Sequence, residues 1–410
     1  MEDRVAIVAP GGIGSLASYA RSLAAAVHMP AVVVEGCSGS FGHGLLSGAS
    51  LARLATDAAI VRKLRSVDAP LLHLTSHHLA RYGPLSGHRY MVTVHDLMRH
   101  RDALERGRRP PLIHEPNLRD RLLLRLDAAG LHAADALIAV SDHTKDELVR
   151  VLGVPARRVH VVREGVDCRA FAPVSRRLTA EPYVLYVGSE QPRKNLATLF
   201  EAFMRARVAV PGLRLVKVGA AGGPEAPFRE RTLEHARASG ALPHVVFAER
   251  VSHEDLVAWY SGALCLIQPS RHEGFGLPPL EAMACDCPVI VSAAGAFPEV
   301  IADAGLVYGA PDDVDALAAA LTAMVSDAGR RAALVRAGRE RAAELSWERT
   351  AALTREVWLA TLREPLPQRE QLVGDLAGRG GRDAEVGHGG AGLDGLRARD
   401  PAGKVLRRVG

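Results

Sequence analysis

The chain has 410 residues, long enough for two domains with separate cores. Its formal net charge of +5, from 51 Lys and Arg against 46 Asp and Glu, is too near balance for a nucleic-acid footprint. Glu2, Asp3 and Arg4 ahead of a short apolar run argue against a secretory leader, and no apolar stretch is long enough to read as a membrane span. The five cysteines (Cys37, Cys168, Cys265, Cys285, Cys287) are odd in number and scattered, so buried reduced thiols in a cytoplasmic protein are expected.

Short apolar runs alternate with longer helical patterns from the N-terminus onward, which predicts a parallel α/β architecture. Residues 5–8 read as the first strand. The loop after it carries Gly12, Ile13, Gly14 and Ala17, matching the G-x-G-x-x-[GA] spacing of a dinucleotide turn. Glu35, closing a second strand at 31–34, stands where a ribose-binding acid would stand. Taken alone, this turn supports an NAD-dependent oxidoreductase. His73, His77 and His78 lack neighbouring acids and read as acceptor-side cleft residues or plain surface, not as metal ligands.

A strand at 91–94 leads into His95-Asp96, and residues 99–125 then carry Arg99, Arg101, Arg106, Arg108, Arg109, Arg119, Arg121 and Arg125. Such a stretch suits either peripheral contact with an anionic membrane, at the inner face of the plasma membrane, or a solvated pair of helices. A strand at 136–140 ends at Ser141-Asp142-His143, where Ser141 or Asp142 caps the next helix. The proline-punctuated stretch from Phe171 to Pro182 reads as a connector between domains.

Strands at 183–187, 214–218, 244–247, 263–267 and 288–291 form a second set. After the first of these comes Gly188-Ser189-Glu190-Gln191-Pro192-Arg193-Lys194-Asn195, a turn ending in two cations at the edge where α/β folds bind ligands. A guanidinium beside an ammonium can neutralise charge growing on a departing diphosphate. Residues 270–281 read Ser-Arg-His-Glu-Gly-Phe-Gly-Leu-Pro-Pro-Leu-Glu. The double proline suits a helix's first turn, and free amides of Gly274, Phe275 and Gly276, ahead of Leu277, would meet an anion there. Glu273 and Glu281 would flank that anion, Glu281 from the opening turn of the helix.

The segment from Ser270 to Val300, with EGFGLPPLEAMACDCPVIVS followed by FPEV, resembles the signature of the family-4 retaining glycosyltransferases, which have the GT-B fold. Asp286 stands where a glycine is more usual, and the similarity runs in outline over residues 4–360. The resemblance implies two doubly wound Rossmann-like domains facing a central cleft. Residues 1–175 would form the acceptor domain and 176–345 the nucleotide-sugar domain. A helix at 346–365 would pack back across the interface, with Ser346 as its cap and Trp347 as anchor. Residues 366–410 are too poor in large apolar residues for a core and read as a disordered tail.

The same resemblance assigns diphosphate binding to Arg193 and Lys194, sugar contacts to Glu273 and His95, the ribose to Glu281, and acceptor approach to Gly12, Ile13 and Gly14. No protein nucleophile, cofactor or metal is implied. The wording of residues 188–195 and 273–281 most resembles the mannosyltransferase branch, so GDP-mannose leads as donor, ahead of UDP-glucose, UDP-N-acetylglucosamine and dTDP-rhamnose. The acceptor is a hydroxyl of a glycan, glycolipid or small molecule. A non-catalytic sugar-nucleotide-binding protein is the remaining alternative, disfavoured because Arg193, Lys194, Glu273, Glu281 and His95 are all present.

Overall fold

A computed structural model describes residues 5–12, 14–34, 49–107, 110–220 and 226–364, without the side chains of 49–54, 226 and 227. Ile13, Glu35, Cys37, Arg108, Arg109 and the expected tail at 366–410 lie outside the described residues. The strands form two six-stranded sheets. The first contains β1 (Val5–Pro10), β2 (Ala31–Val34), β3 (Leu71–Leu74), β4 (Arg89–Val94), β5 (Ala136–Ala139) and β6 (Val159–Val161), in the order β2-β1-β3-β4-β5-β6. The second contains β7 (Tyr183–Val187), β8 (Arg214–Val218), β9 (Val245–Ala248), β10 (Leu266–Gln268), β11 (Val289–Val291) and β12 (Leu306–Val307), in the order β12-β11-β10-β7-β8-β9. Every pairing between these strands is parallel.

Parallel strands joined by helices are covered on both faces, which is why they read as continuous apolar runs. Side chains still alternate between the faces. Tyr183 and Leu185 of β7 enter one core cluster, while Val184 and Tyr186 enter the cluster on the other face. In β3, Leu71 and Leu72 divide in the same way. The sequence pattern did not reveal β3, β6 or β12. His73 interrupts the apolar run of β3, where it is fully buried, and the other two are only three and two residues long.

In each sheet the chain order reverses once. The reversal falls between β1 and β3 in the first sheet and between β7 and β10 in the second. Open α/β sheets bind ligands just beyond the carboxyl ends of the strands at such a reversal. The turns that follow β1, β7 and β10 contain most of the residues singled out from the sequence, and His95 follows β4.

The last described helix, Trp347–Arg363, returns to the first sheet. Ala351, Val357 and Trp358 join the cluster built on Ile7, Tyr19 and Leu23. The indole N–H of Trp358 donates to His73 Nδ1 at 3.2 Å, and Arg89 reaches the Thr361 carbonyl at 2.7 Å. Trp347, the expected anchor, is only half-buried, edge-on to Tyr19, whereas Trp358 is 2% exposed. Ser346 accepts a hydrogen bond from the Arg349 amide, as a cap should.

Candidate functional site

The turns after β7 and β10 bring three charged side chains together. Arg193 and Lys194 occupy a short 3-10 turn, Pro192–Lys194, and Asn195, at φ 58°, starts the following helix. Glu273 Oε1 receives Lys194 Nζ at 2.7 Å and Arg193 Nη1 at 2.8 Å. Burial alone would raise the Glu273 pKa, but the two cations hold it down at about 2. Two cations against one carboxylate leave a surplus positive charge at the reversal of the sheet. The turn is braced from behind by Glu190, which is 2.8 Å from Lys217 and 2.8 Å from Arg229. Those partners were not foreseen, because they come from β8 and the next helix.

The Gly-rich turn beyond Glu273 is shaped by close approaches. A Cβ on Gly274 would lie 1.7 Å from the carbonyl oxygen of His95, so only glycine fits where the second half meets the first. Gly276 adopts φ 111° ahead of the helix Leu277–Ala284, with Pro278 and Pro279 in its first turn. Phe275 turns its ring into the core and is 4% exposed, so only its backbone is available to a ligand. Glu281 is the fifth residue of the helix, one residue past the opening turn where the double proline implied it. There it accepts a 2.8 Å hydrogen bond from Tyr260, and burial raises its pKa.

On the first half, Gly12 and Gly14 are exposed at the end of β1, and a Cβ at either would meet nothing within 4 Å. His95 follows β4. Its Nδ1 is 2.7 Å from Glu164 and its Nε2 is 3.0 Å from the Thr75 carbonyl. Burial opposes its charge, but the Glu164 bond and charge prevail and raise the pKa. Both ring nitrogens are therefore committed to the first half, and the backbone of His95 faces Gly274. The other histidines are not surface groups: His73 and His77 are buried, and burial together with the His95 charge pushes His73 down to about 3. His73 is a core residue, bonded to Thr93 and Trp358.

The two halves grip each other around the helix Asp142–Leu152. Its cap Ser141 donates to the Gly274 carbonyl at 2.6 Å while accepting from the Thr144 amide. Glu299, from the FPEV segment, accepts from the amides of Asp142 and His143 at 3.0 and 2.9 Å. A carboxylate from one half thus caps a helix of the other. Deeper along this helix, His143 and Glu147 meet His272, an arrangement invisible in sequence because the third member is more than a hundred positions away.

The arginine-rich stretch resolves into different roles. Arg99 is 5% exposed and tied to Asp120, so it cannot face a membrane, and Arg101 pairs with Glu105 and Glu147. Arg119, Arg121 and Arg125 lie on the helix Leu118–Ala133. Beside them Leu118, Leu122 and Leu126, four residues apart, are 73%, 58% and 48% exposed. Among the described residues, no helix is long and apolar enough to cross a membrane. Of the described cysteines, Cys265, Cys285 and Cys287 are buried thiols, but Cys168 is exposed.

Residues 170–341 match the family model of glycosyl transferases group 1, and residues 4–170 match that of glycosyltransferase family 4. The chain is 32% identical over 257 residues to an O-antigen chain mannosyltransferase B of Escherichia coli, covering 59% of this chain and 65% of that protein. It is 33% identical over 251 residues to a D-inositol 3-phosphate glycosyltransferase of Xylanimonas cellulosilytica, covering 57% of this chain and 59% of that one. The matches thus span about three-fifths of the length of these relatives. Among solved structures, a sucrose-phosphate synthase from Thermosynechococcus elongatus superposes with a TM-score of 0.70 at 24% identity, over 87% of this chain and 98% of that one. An Anabaena HepE structure in complex with UDP-glucose gives a TM-score of 0.71 at 16% identity, over 87% and 99%. Both show the same two-domain GT-B fold. The dinucleotide spacing at Gly12, Gly14 and Ala17 belongs to the Rossmann-like turn of that fold.

Proposed function

The chain belongs to the family-4, group 1 glycosyltransferases, and from that premise we propose that it transfers a sugar from a nucleotide-sugar to a hydroxyl acceptor with retention of configuration. The observation that carries this reading is the buried Arg193–Lys194–Glu273 cluster at the reversal of the second sheet. The diphosphate lies against Arg193, Lys194 and the backbone of Gly188 and 274–276, and the ribose meets Glu281. Glu273, fully ionised, turns its remaining acceptor capacity to the sugar hydroxyls. The acceptor enters beside Gly12 and Gly14, where open space borders the turn.

As the bond between the anomeric carbon and the phosphate oxygen breaks, positive charge grows on the sugar and negative charge on the leaving group. Arg193 and Lys194 stabilise the latter in a water-poor site, an effect realised chiefly in the transition state. The acceptor oxygen bonds to the same face of the anomeric carbon, and its proton passes to a leaving-group phosphate oxygen. No protein nucleophile enters the reaction, and the two side-chain cations do for the diphosphate what a divalent ion does elsewhere.

GDP-mannose leads among donors, on the wording of residues 188–195 and 273–281 and the similarity to a mannosyltransferase. UDP-glucose, UDP-N-acetylglucosamine and dTDP-rhamnose follow. The acceptor belongs to glycan or glycolipid assembly at the cytoplasmic face of a membrane. The row Leu118, Leu122 and Leu126, flanked by Arg121 and Arg125, is an interfacial helix face suited to anionic lipid. Incubating the protein with each nucleotide-sugar in EDTA, with and without membrane extract, and measuring free nucleoside diphosphate tests the reading. Release from one donor, stimulated by extract, is expected; release from none of them contradicts it.

A further inference from the structure

The cluster His143, Glu147 and His272 lies outside the transfer machinery and has the composition of a metal site. His143 and Glu147 are one turn apart on the helix Asp142–Leu152 of the first half, and His272 belongs to the turn after β10 of the second. His143 Nε2 is 3.4 Å from His272 Nε2 and 3.6 Å from Glu147 Oε1. A tetrahedral Zn²⁺ with ligand bonds of about 2.0–2.1 Å separates its ligands by roughly 3.4 Å, so two of the three edges already have the required length. The third, His272 Nε2 to Glu147 Oε1, is a 2.9 Å hydrogen bond that opens by roughly half an ångström when an ion replaces its proton.

The carboxylate keeps capacity for a ligand: Glu147 Oε2 is buried without a hydrogen-bond partner, in a residue 6% exposed. Among the described residues, no other three His, Cys, Asp or Glu side chains converge in this way. The charged neighbour is Arg101, whose Nη1 is 3.2 Å from Glu147 Oε1. Its guanidinium also holds Glu105, so it keeps a partner when Glu147 turns to a metal.

We propose that His143, Glu147 and His272 form a transition-metal site, of the zinc class, that ties the helix Asp142–Leu152 of the first half to the Gly-rich turn of the second. Two imidazoles and one carboxylate suit Zn²⁺ and disfavour Mg²⁺ and Ca²⁺, which prefer all-oxygen shells. The fourth position is left for water. His272 precedes Glu273, so the ion would fix the backbone that carries the sugar-binding carboxylate. It takes no part in breaking or forming the glycosidic bond.

The test uses the full chain, stripped with chelator and titrated with Co²⁺. One equivalent should develop the visible absorption of a low-symmetry, nitrogen- and oxygen-ligated Co²⁺ ion, and Zn²⁺ should displace it. Losing an outer-shell partner commonly costs 10–100-fold in affinity, so His143→Ala and Glu147→Gln, each removing a ligand, should weaken binding by at least about 100-fold. Circular dichroism reports whether each variant folds. Independently of any variant, the melting temperature of the stripped protein should rise with added Zn²⁺ and saturate at one equivalent. Colourless or non-stoichiometric binding, a melting temperature indifferent to Zn²⁺, or folded variants that bind as the parent does would each overturn the proposal. The assay involves no nucleotide-sugar, so its failure leaves the transferase reading untouched.

Discussion

Each of the two sheets reverses its chain order once, yet the turns at the two reversals are chemically opposite. After β1 the chain presents Gly12 and Gly14, bare backbone bordered by open space. After β7 and β10 it presents Arg193 and Lys194, both within 3 Å of the Glu273 carboxylate. In the proposed reaction one fold element would therefore serve two purposes: the uncharged turn would admit a neutral hydroxyl, and the cationic turn would receive an anionic leaving group. Charge at the reversal, more than topology, is what distinguishes the two turns.

The strongest way to break that contrast is to remove the charge. Lys194→Ala should lower turnover by roughly 100- to 1000-fold, the usual cost of losing a donor that stabilises transition-state charge. The fold should survive, because Arg193 still neutralises Glu273. A loss of similar size in nucleotide affinity, without loss of turnover, would show that Lys194 binds ground and transition states alike.

The next effect is on stability. Glu273 titrates at about 2 in the folded chain against an ordinary 4.5. Its ionised form thus stabilises the fold above pH ~4.5, and that contribution is lost as pH falls towards 2. The shift corresponds to at most about 3 kcal/mol. In denaturant melts from pH 7 to pH 2, the Glu273→Gln variant should lack this acid-sensitive component. A parallel pH dependence in both proteins would mean the ion cluster adds nothing to the fold.

Smaller effects belong to the first half. Replacing Arg121 and Arg125 by Glu should weaken cosedimentation with anionic vesicles by about 1 kcal/mol or more per charge removed, leaving neutral vesicles unaffected. Gly14→Ala adds a methyl where there is room, so donor affinity should be unchanged while the acceptor KM rises a few-fold. A change confined to the donor would move the acceptor entrance elsewhere.

How much of this was legible in the sequence follows the distance over which each feature is built. The strands 5–8, 183–187 and 214–218 are local apolar runs, and the RKN and EGFG turns are contiguous, so their types and places could be read directly. Glu281 falls one residue past the expected opening turn, because the sequence shows a double proline but not where helical hydrogen bonding begins. His73 looked polar and therefore superficial, although Thr93 and Trp358 satisfy both of its nitrogens inside the core. The Glu164 partner of His95, the Glu299 cap and the bond between Glu147 and His272 join residues from 69 to 157 positions apart. No local pattern encodes such contacts; the packing of the two halves creates them.

The central claim is that the nucleotide-sugar binds at the reversal of the second sheet. The most direct test is calorimetric titration of the parent, Glu281→Ala and Gly14→Ala proteins with GDP-mannose, UDP-glucose, UDP-N-acetylglucosamine, dTDP-rhamnose and NAD in EDTA. One sugar nucleotide should bind the parent and Gly14→Ala equally. Its binding to Glu281→Ala should be weaker by roughly 10- to 100-fold, the worth of a charge-assisted hydrogen bond. Binding of NAD alone, abolished by Gly14→Ala and indifferent to Glu281→Ala, would place the ligand at the first reversal and contradict the account.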